Sequence, residues 1–400
     1  MCYNMLEWIF LSTGSYRRNK MKKIKLWLIL TAFLTAFCAC SPGNLPSPIV
    51  QETPSPGGNT QFPTIPTVIP DNVGAEDDSN PPHDGMVRSR LTNEWVDADV
   101  ANVRPIAVMI PNESSAIPHY NLSEASVVYE ANVEGRMTRM MAIFEDWEDL
   151  SKIGNVRSLR SYYAYWAFEW DAFIVHYGGP FFINDLLAEP NTQTIDGTQP
   201  ADSAAFFRDA NRSTPHNAYA IGSGLASVVQ KKGYSLAYRG LTDENHFVFT
   251  TKAAPNVLTQ YGASARDATY IDMSSCYPLT RCYFEYNEDD GLYYRSQYLS
   301  GSNDEPHIDA ATGKQLSFKN IIIQNVKSEE IINGYLAFQC HDTTRDGWYF
   351  TNGKGIHITW SKTSDYAATR YYDDFGNEIV MNTGKTMICI VQEGNTFTYR

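Results

Sequence analysis

Residues 154–170 read Gly154-Asn-Val-Arg-Ser-Leu-Arg-Ser-Tyr-Tyr-Ala-Tyr-Trp-Ala-Phe-Glu-Trp170 and pass from a polar turn into an apolar repeat. The apolar residues recur at intervals of three and four, which predicts a helix over 158–170 with one buried face. That face comprises Leu159, Tyr162, Tyr163, Trp166, Ala167 and Trp170. The stretch therefore predicts a helix that packs against the core.

Two arginines precede this repeat. Arg157 and Arg160 lie three residues apart at the predicted helix start, beside Ser158 and Ser161. The first backbone N–H groups of a helix are unpaired and carry partial positive charge, and each guanidinium adds a planar fork of donors. The arrangement predicts a binding position for a carboxylate, phosphate or sulfate. The other interpretation is that both arginines pair with acidic neighbours and stabilise the fold.

The first forty residues predict export. A basic region, Met21-Lys-Lys-Ile-Lys25, precedes an apolar run over 26–37 and the sequence Cys38-Ala-Cys-Ser41. This order is typical of a secretion signal, and the apolar run is shorter than the roughly 20 residues of a membrane span. It resembles a bacterial lipoprotein signal over residues 1–39, with Met21 as an alternative start and Cys40 as the lipidated residue. We therefore predict a lipid-anchored protein on the extracytoplasmic face of the cell membrane.

The charge of the chain restricts its partners. The formal net charge is −13, although residues 1–39 hold six basic side chains against one acidic side chain. The rest of the chain is therefore more acidic than the whole, which excludes nucleic acid held by bulk charge. Any anionic ligand must be bound by a local basic cluster.

A tether follows the signal. Residues 40–92 contain ten of the chain's 20 prolines, together with Gly57-Gly58 and the acidic run Glu76-Asp77-Asp78. Such a composition cannot bury enough apolar surface to offset the entropy of ordering the chain. We predict a disordered connection that holds the folded part at a distance from the membrane.

Two patterns follow the tether. Residues 93–267 alternate strand and helix signals, which is typical of α/β layers. Residues 268–400 contain short strands separated by glycine turns, which predicts a mostly β domain such as a small barrel or sandwich. We therefore predict an α+β fold, in which an N-terminal α/β layered domain precedes a mostly β C-terminal domain. In the first part, the predicted strands cover 104–110, 126–135, 139–144 and 171–177, and the predicted helices cover 158–170, 181–189 and 222–232.

Acidic residues alternate along the strand predicted over 126–135. The period of two places Glu130, Asn132 and Glu134 on one face. Four residues of strand separate the two carboxylates by about 13 Å, which is beyond the roughly 5–9.5 Å of a glycosidase pair. The remaining interpretations are a solvated face or a set of partners for nearby arginines, namely Arg139, Arg157 and Arg160.

Two further positions are candidates for ligand contact. His176 ends its predicted strand just before Gly178-Gly179-Pro180, a position where α/β sheets bind ligands, although a hydrogen-bonded core histidine is the other interpretation. Residues 206–217 predict a polar loop stiffened by Pro215, and loops often carry binding residues. The candidates in this loop form either a binding site or a structural ion-pair network, and they are Arg208, Asp209, Arg212, His216 and Asn217.

Common catalytic and metal-binding motifs are absent from the sequence. We find no G-x-S-x-G elbow, P-loop, H-E-x-x-H or EF-hand pattern, and no metal-site spacing of histidines or cysteines. We therefore expect no cofactor and no metal. The four cysteines after the tether permit disulfides, including a bridge over the short loop of Cys276 and Cys282, or they are buried free thiols. The other two are Cys340 and Cys389.

Several collinear segments carry a family resemblance, namely 104–112, 122–125, 129–130, 134–135, 138–139, 153–160, 176–179, 207–209, Arg212, 215–217, 355–360, 369–370, 376–378 and 382–386. Together they resemble the YerB-like lipoproteins of Gram-positive bacteria (DUF3048). The likeness covers roughly 100–240 and 282–398, although Asn155 stands where the family pattern suggests a proline. The resemblance implies an α/β domain followed by a β-rich domain, attached outside the membrane. It implies no established activity.

These observations favour a non-enzymatic binding protein over an enzyme. The membrane is reached through the lipid on Cys40, and the first domain would bind an anionic or glycan-like cell-envelope ligand or a wall-synthesis partner. The alternative is a cell-wall hydrolase in which His176 or His216 acts as general base and arginines bind the negative charge of the substrate. The candidate ligand-binding residues are Glu130, Glu134, Arg139, Arg157, Arg160, His176, Arg208, Asp209, Arg212, His216 and Asn217.

Overall fold

A mixed sheet of eleven strands organises the structure, a computed structural model that describes residues 78–243, 245–300 and 303–400. The predicted signal region, Cys40 and residues 41–77 of the predicted tether lie outside the described residues. Residues 78–92 of that tether are described, and they include the strand Met86–Arg88 and the buried Leu91. Within the described ranges, no helix is long and apolar enough to cross a membrane.

Short strands make up most of the regular structure in these ranges. In chain order they are β1 (Met86–Arg88), β2 (Trp95–Asp97), β3 (Ile106–Pro111), β4 (Val127–Asn132), β5 (Thr138–Phe144), β6 (Ile153–Gly154), β7 (Phe173–His176), β8 (Thr194–Asp196), β9 (Phe206–Arg208), β10 (Ala218–Ala220), β11 (Val248–Thr250), β12 (Arg266–Asp267), β13 (Tyr270–Asp272), β14 (Tyr283–Asn287), β15 (Leu292–Ser300), β16 (Asn303–Pro306), β17 (Ser317–Phe318), β18 (Asn320–Val326), β19 (Ser328–Glu330), β20 (Leu336–Phe338), β21 (Asp342–Thr351), β22 (Lys354–Lys362), β23 (Arg370–Tyr372), β24 (Val380–Asn382), β25 (Thr386–Gln392) and β26 (Thr398–Tyr399).

Helices are few and short. The α-helices of the described residues are α1 (Ala98–Ala101), α2 (Ser161–Phe168), α3 (Asn184–Leu187) and α4 (Gly222–Lys232). Short 3-10 helices cover Ser114–Ala116, Leu122–Glu124, Glu134–Arg136, Phe181–Ile183, Pro200–Ala205 and Thr259–Ser264. The helix predicted over 222–232 is present with the same bounds, and the helix predicted over 181–189 is a 3-10 turn that continues into α3.

The central sheet joins the two predicted domains. From one edge to the other its order is β12-β22-β21-β18-β25-β4-β5-β3-β7-β8, with β23 paired to β22. β25 is parallel to both of its neighbours, β18 and β4. β5 is antiparallel to β4 and β3, whereas β3, β7 and β8 are mutually parallel. Strands from both sides of the predicted boundary at 267/268 therefore share one sheet.

Both faces of this sheet are buried. Its middle strands are nearly continuous apolar runs, as expected of strands that are covered on both sides. In β18, Ile322 packs into the core on the α2 side, whereas Ile321 and Ile323 pack into the core on the α4 side. The α4 side also includes a second, six-stranded sheet of order β16-β15-β14-β13-β26, with β17 paired to β15. The predicted α+β class is confirmed.

The C-terminal part does not form the separate barrel or sandwich that its turns suggested. Strands β18, β21, β22, β23 and β25 extend the central sheet instead. Their apolar runs, such as Ile321-Ile-Ile323, need cover on both faces, and joining the N-terminal strands supplies that cover. The sequence predicted short strands in this part, but it did not show which strands pair with one another.

The helix predicted over 158–170 is shorter and more deeply buried than its periodicity suggests. α2 begins at Ser161, and Arg160 is its N-cap residue in an extended conformation. All six residues of the predicted face are buried, but Ala164 and Phe168 are buried as well. The reason is a second contact surface, because the Tyr162 ring lies 4.7 Å from the ring of Phe338 in β20. The helix is therefore enclosed on two sides.

All four cysteines of the described part are free and buried. The bridge that the spacing of Cys276 and Cys282 permitted is therefore not formed. Burial raises the pKa of Cys276 to about 12. Because the thiolate is the reactive form, this thiol is inert at neutral pH.

Candidate functional site

Arg157 lies at the carboxyl ends of two neighbouring strands of the central sheet, β3 and β7. Its backbone N–H donates to the Met109 carbonyl of β3 at 2.8 Å, and its carbonyl accepts from the Tyr177 N–H, just beyond β7, at 2.9 Å. The parallel strands β3 and β7 therefore hold the extended segment 157–160 between them. Crevices outside the carboxyl ends of the strands are the usual ligand sites of α/β sheets.

The two arginines of this segment have different surroundings. Arg160 pairs with Glu134, and the distance from its Nε to Glu134 Oε2 is 3.0 Å. Arg157 is half-buried, and its Nε has no hydrogen-bond partner. Among the described residues, no carboxylate lies within ion-pair distance of Arg157. The structural interpretation thus holds for Arg160 and fails for Arg157.

Arg139 is a second guanidinium without an acidic partner in the described part of the chain. It is 3% exposed at the start of β5, and its Nη1 donates to the Ser158 carbonyl at 2.5 Å. Its Nε has no partner. Burial, and after it the neighbouring charge of Arg160, lower the pKa of Arg139 to about 10. The guanidinium remains charged at neutral pH, and Glu134, the carboxylate that acts on it, is itself paired with Arg160.

Hydrogen bonds hold the loop at 209–217 against the loop at 113–118. Arg212 donates to the carbonyls of Ser115 (2.9 Å), Ile117 (3.0 Å) and Pro118 (3.2 Å). The buried Asn155 side chain donates to the carbonyls of Ala116 and His216, each at 2.9 Å. These five bonds fix the position of His216.

His216 lies within electrostatic range of the unpaired arginines. Its Nε2 is 3.2 Å from Ser115 Oγ and 3.4 Å from Glu113 Oε1, whereas its buried Nδ1 has no partner. Burial lowers the pKa of His216, Glu113 opposes this shift, and the charges of three arginines lower the pKa further. These arginines are Arg157, Arg212 and Arg139. The ring is therefore neutral at pH 7.

We name this cluster the arginine–histidine site and define it by Arg139, Arg157, Arg212, His216, Glu113 and Ser115. It carries three guanidinium charges against one carboxylate, in partly buried surroundings where charge interactions are stronger than in water. None of the three guanidinium groups forms an ion pair with a carboxylate in the described part of the chain, although Arg212 donates to three backbone carbonyls. The arrangement suits a ligand with a planar anionic group that accepts forked hydrogen bonds.

Glu130 lies in the interior and does not reach this site. Its side chain is 0% exposed and accepts hydrogen bonds from Asn112 (2.8 Å), Thr138 (2.6 Å) and Arg295 (2.9 Å). Arg295 is equally buried and belongs to β15 in the second sheet. The solvated-face interpretation is therefore wrong for Glu130, which connects the two sheets.

Two buried histidines, His307 and His119, extend the hydrogen bonding from Arg295 to β3. Arg295 contacts His307 Nδ1, His307 Nε2 lies 2.9 Å from His119 Nδ1, and His119 Nε2 lies 2.8 Å from the Pro111 carbonyl oxygen. A carbonyl oxygen only accepts, so each histidine carries its proton on Nε2. Burial lowers the pKa of His119 to about 4, and burial and the charge of Arg295 lower that of His307. Both rings are neutral members of a directional chain of hydrogen bonds.

The remaining predicted residues have partners of their own. His176 is fully buried, and its Nδ1 lies 2.9 Å from the Gly178 carbonyl oxygen, as the core interpretation expects. Arg208 donates to Asn217 Oδ1 at 2.7 Å, and Lys152 pairs with Asp209 at 2.9 Å. The contacts within 206–217 are therefore largely structural, and His216 is the residue of this loop that faces unpaired arginines.

The sequence analysis missed Glu113, Ser115 and Asn155 as members of this region. Glu113 and Ser115 follow β3 directly, so their place at the carboxyl end of a buried strand was an available signal. Asn155 departs from the family pattern, but the sequence does not show that its side chain donates hydrogen bonds to the carbonyls of Ala116 and His216 and so connects two loops. Within the described ranges, no group of three His, Cys, Asp or Glu residues is placed to hold a metal ion.

The family of the chain follows from comparison with known sequences. Residues 91–235 match the family described as "Protein of unknown function (DUF3048) N-terminal domain", and residues 271–388 match the corresponding C-terminal domain. The chain belongs to the DUF3048 family.

Relatives in Bacillus subtilis agree with this assignment. The chain is 27% identical over 292 residues to "Putative lipoprotein YerB" of Bacillus subtilis (strain 168), which covers 70% of this chain and 79% of YerB. The crystal structure of the YerB protein from Bacillus subtilis superposes with a TM-score of 0.65 at 24% identity. The superposition covers 78% of this chain and 99% of that chain, and it supports the fold.

Proposed function

We propose that this protein is a lipid-anchored binding protein of the cell envelope, whose arginine–histidine site binds a carboxylate-bearing glycan. The signal pattern before Cys40 and the name of the YerB relative support the anchor and a place on the extracytoplasmic face of the membrane. The likeness of the sequence to Gram-positive lipoproteins agrees with a ligand from the cell wall. The activity is binding, and the chain needs no cofactor for it.

The unpaired guanidinium of Arg157 carries this proposal. A half-buried arginine without a carboxylate partner is costly unless a ligand completes its hydrogen bonds. Arg139 adds a second guanidinium without an ion pair. Burial and the charges of three arginines lower the pKa of His216, so that its neutral ring can still accept or donate a single hydrogen bond. A carboxylate placed between the guanidinium groups would satisfy these donors.

Replacing Arg157 with methionine is expected to weaken binding of N-acetylmuramic acid by about 10–100-fold. Methionine keeps the apolar stem but removes a charge-assisted hydrogen bond worth about 1.5–3 kcal/mol. Titration calorimetry of the full chain in detergent measures this change. N-acetylglucosamine, which lacks the lactyl carboxylate, is the matched ligand and is expected to bind weakly to both proteins.

The exposed Arg266 in β12 supplies a control variant, because Arg266→Met removes the same charge at the far edge of the central sheet. Its affinity for N-acetylmuramic acid should match that of the unmodified protein. Retained binding in the double variant Arg139→Met/Arg157→Met would exclude the arginine–histidine site as the ligand site.

A cell-wall hydrolase is the second candidate, and the contact of Ser115 with His216 favours it. The hydroxyl lies 3.2 Å from a neutral imidazole nitrogen, which is the arrangement of a nucleophile and its base. However, the same nitrogen also faces Glu113, and the other ring nitrogen has no orienting partner in the described part of the protein. A catalytic histidine normally has such a partner. Binding is therefore the better-supported function.

The variant Ser115→Ala separates the two candidates. A binding protein is expected to release no soluble fragments from purified cell wall, with or without this hydroxyl. Release of reducing sugar ends by the unmodified protein, and its loss in Ser115→Ala, would instead establish the hydrolase.

A further inference from the structure

A second cleft lies apart from the arginine–histidine site. Its volume is about 990 Å³, and none of the residues that define the arginine–histidine site lines it. The first part of the chain contributes Glu94 and residues of the 122–125 turn. The C-terminal part contributes the β14–β15 hairpin and the turn at 382–385. Two segments that carried the family resemblance, 122–125 and 382–386, thus meet at this cleft although the proposed function gives neither a role.

Two lysines lie side by side in the lining of the cleft. The backbone N–H groups of Lys319 and Asn320 donate to the Lys385 carbonyl at 2.9 and 3.1 Å. Gly384 has a φ of +136°, and a Cβ atom there would lie 2.7 Å from Lys319 Cβ. The glycine permits this close approach, and it brings both lysines to one part of the cleft.

Neither ammonium group of these two lysines forms an ion pair with a carboxylate in the described ranges. Lys319 Nζ donates to the Gly291 carbonyl at 3.1 Å and to Asn352 Oδ1 at 2.7 Å, and Lys385 Nζ contacts the Ser123 carbonyl. All of these acceptors are uncharged, and each ammonium has three N–H donors. Each lysine therefore retains at least one N–H donor. Burial lowers the pKa of both lysines, and the charges of Asp290 at Lys319 and of Glu124 at Lys385 oppose this shift.

Two other lysines line the cleft and differ in this respect. Lys314 lies 3.8 Å from Glu124, and Lys252 lies 3.9 Å from Glu94. Both are exposed side chains whose charges have carboxylate neighbours. Exposed pairs of this kind contribute little to binding or stability. Lys319 and Lys385 are thus the lysines of this lining that have no carboxylate within ion-pair distance in the described ranges, although Glu288 and Asp290 also line the cleft.

The volume of the cleft and its other lining residues indicate which class of ligand it could bind. A single phosphate would fill a small part of 990 Å³, whereas the volume is at the upper end of small-molecule sites. The lining mixes polar and aromatic groups, including Tyr286, Tyr294 and Gln315, that can contact hydroxyl groups and a ring. Lysine binds phosphate as a point charge without the forked geometry that carboxylates favour. We propose that this cleft binds a phosphorylated sugar, with the phosphate at Lys319 and Lys385.

This inference does not rest on the arginine–histidine site, and the experiment keeps the two apart. Glucose 6-phosphate is titrated into the full chain by calorimetry, with glucose, glucuronate and inorganic phosphate as matched ligands. We expect glucose 6-phosphate to bind at least about tenfold more tightly than the other three. Lys385→Met and Lys319→Met should each weaken its binding by at least about tenfold, whereas Lys314→Met should change it by less than about threefold.

Arg157→Met is the variant that distinguishes the two sites, because it should leave the affinity for glucose 6-phosphate unchanged. Unchanged affinity in both Lys319→Met and Lys385→Met, or equal affinity for glucose, would overturn the proposal. If either variant fails to fold, the unmodified protein still provides a test. Binding of glucose 6-phosphate must then weaken as sodium chloride is raised, and binding that is insensitive to salt would also overturn it.

Discussion

Replacing Arg295 with methionine is expected to lower the free energy of unfolding by about 3–5 kcal/mol. The change leaves Glu130 as a buried carboxylate without its cationic partner, and both side chains are 0% exposed. It also removes the donor to His307 at one end of the buried hydrogen-bond chain. Denaturant unfolding followed by tryptophan fluorescence measures the effect.

A second variant tests the cause of this loss. Glu130→Gln combined with Arg295→Met removes both charges, so part of the lost stability should return, because the uncompensated buried charge is gone. Arg266→Met removes an exposed arginine and should change the free energy of unfolding by less than about 0.5 kcal/mol. Equal effects of Arg295→Met and Arg266→Met would show that the Glu130–Arg295 pair does not stabilise the contact between the sheets.

The second large effect concerns pH and Glu169, which follows α2. Its fully buried carboxylate accepts bonds from Tyr129 (2.8 Å) and from both the N–H (2.6 Å) and the hydroxyl (2.7 Å) of Thr369. Lys362 lies 3.5 Å away, and His246 lies 3.3 Å away. Burial raises the pKa of Glu169, but these neighbours outweigh burial and bring the value to about 2.

The sign of the resulting pH dependence follows from this depressed pKa. A carboxyl group with a lower pKa in the folded state adds stability above its unfolded pKa of about 4.3, and this stability is lost as the pH falls towards 2. Between pH 7 and pH 3 the loss amounts to about 2 kcal/mol. Glu169→Gln cannot titrate, so its free energy of unfolding should fall by about 2 kcal/mol less over the same range.

Denaturant unfolding at pH 7, 5 and 3 measures this difference, and the exposed Glu329 provides the matched variant Glu329→Gln. That variant should retain the full pH dependence of the unmodified protein. Parallel stability curves for the unmodified protein and Glu169→Gln would show that Glu169 titrates alike in the folded and unfolded states.

The local structure was largely predictable because it depends on neighbours in the sequence. The apolar period over 158–170 identified α2, and the runs at 104–110 and 139–144 identified β3 and β5. The pairing of β25 with β4 was not predictable, because alternation shows which residues share a face but not which strands are adjacent. The separate barrel or sandwich that we expected for residues 268–400 was wrong for this reason.

The candidate site was predictable in part. Charge and position singled out Arg157 and His216, and the structure places them within electrostatic range of each other. The partners of Arg160 and Glu130 could not be assigned, because an ion pair between distant segments produces no periodic pattern in the sequence. The two lysines of the second cleft escaped notice because single lysines in turns are common, and their proximity depends on the close approach that Gly384 permits.

The position of β25 has a consequence for the biosynthesis of this protein. Ile388 pairs with Tyr129 on one side and Ile322 on the other, so a strand made near the end of the chain fills the middle of the sheet. Until that strand arrives, β4 has an open edge, and the earlier strands cannot complete their hydrogen bonds. Such distant pairing delays completion of the sheet until the residues of β25 have been synthesised.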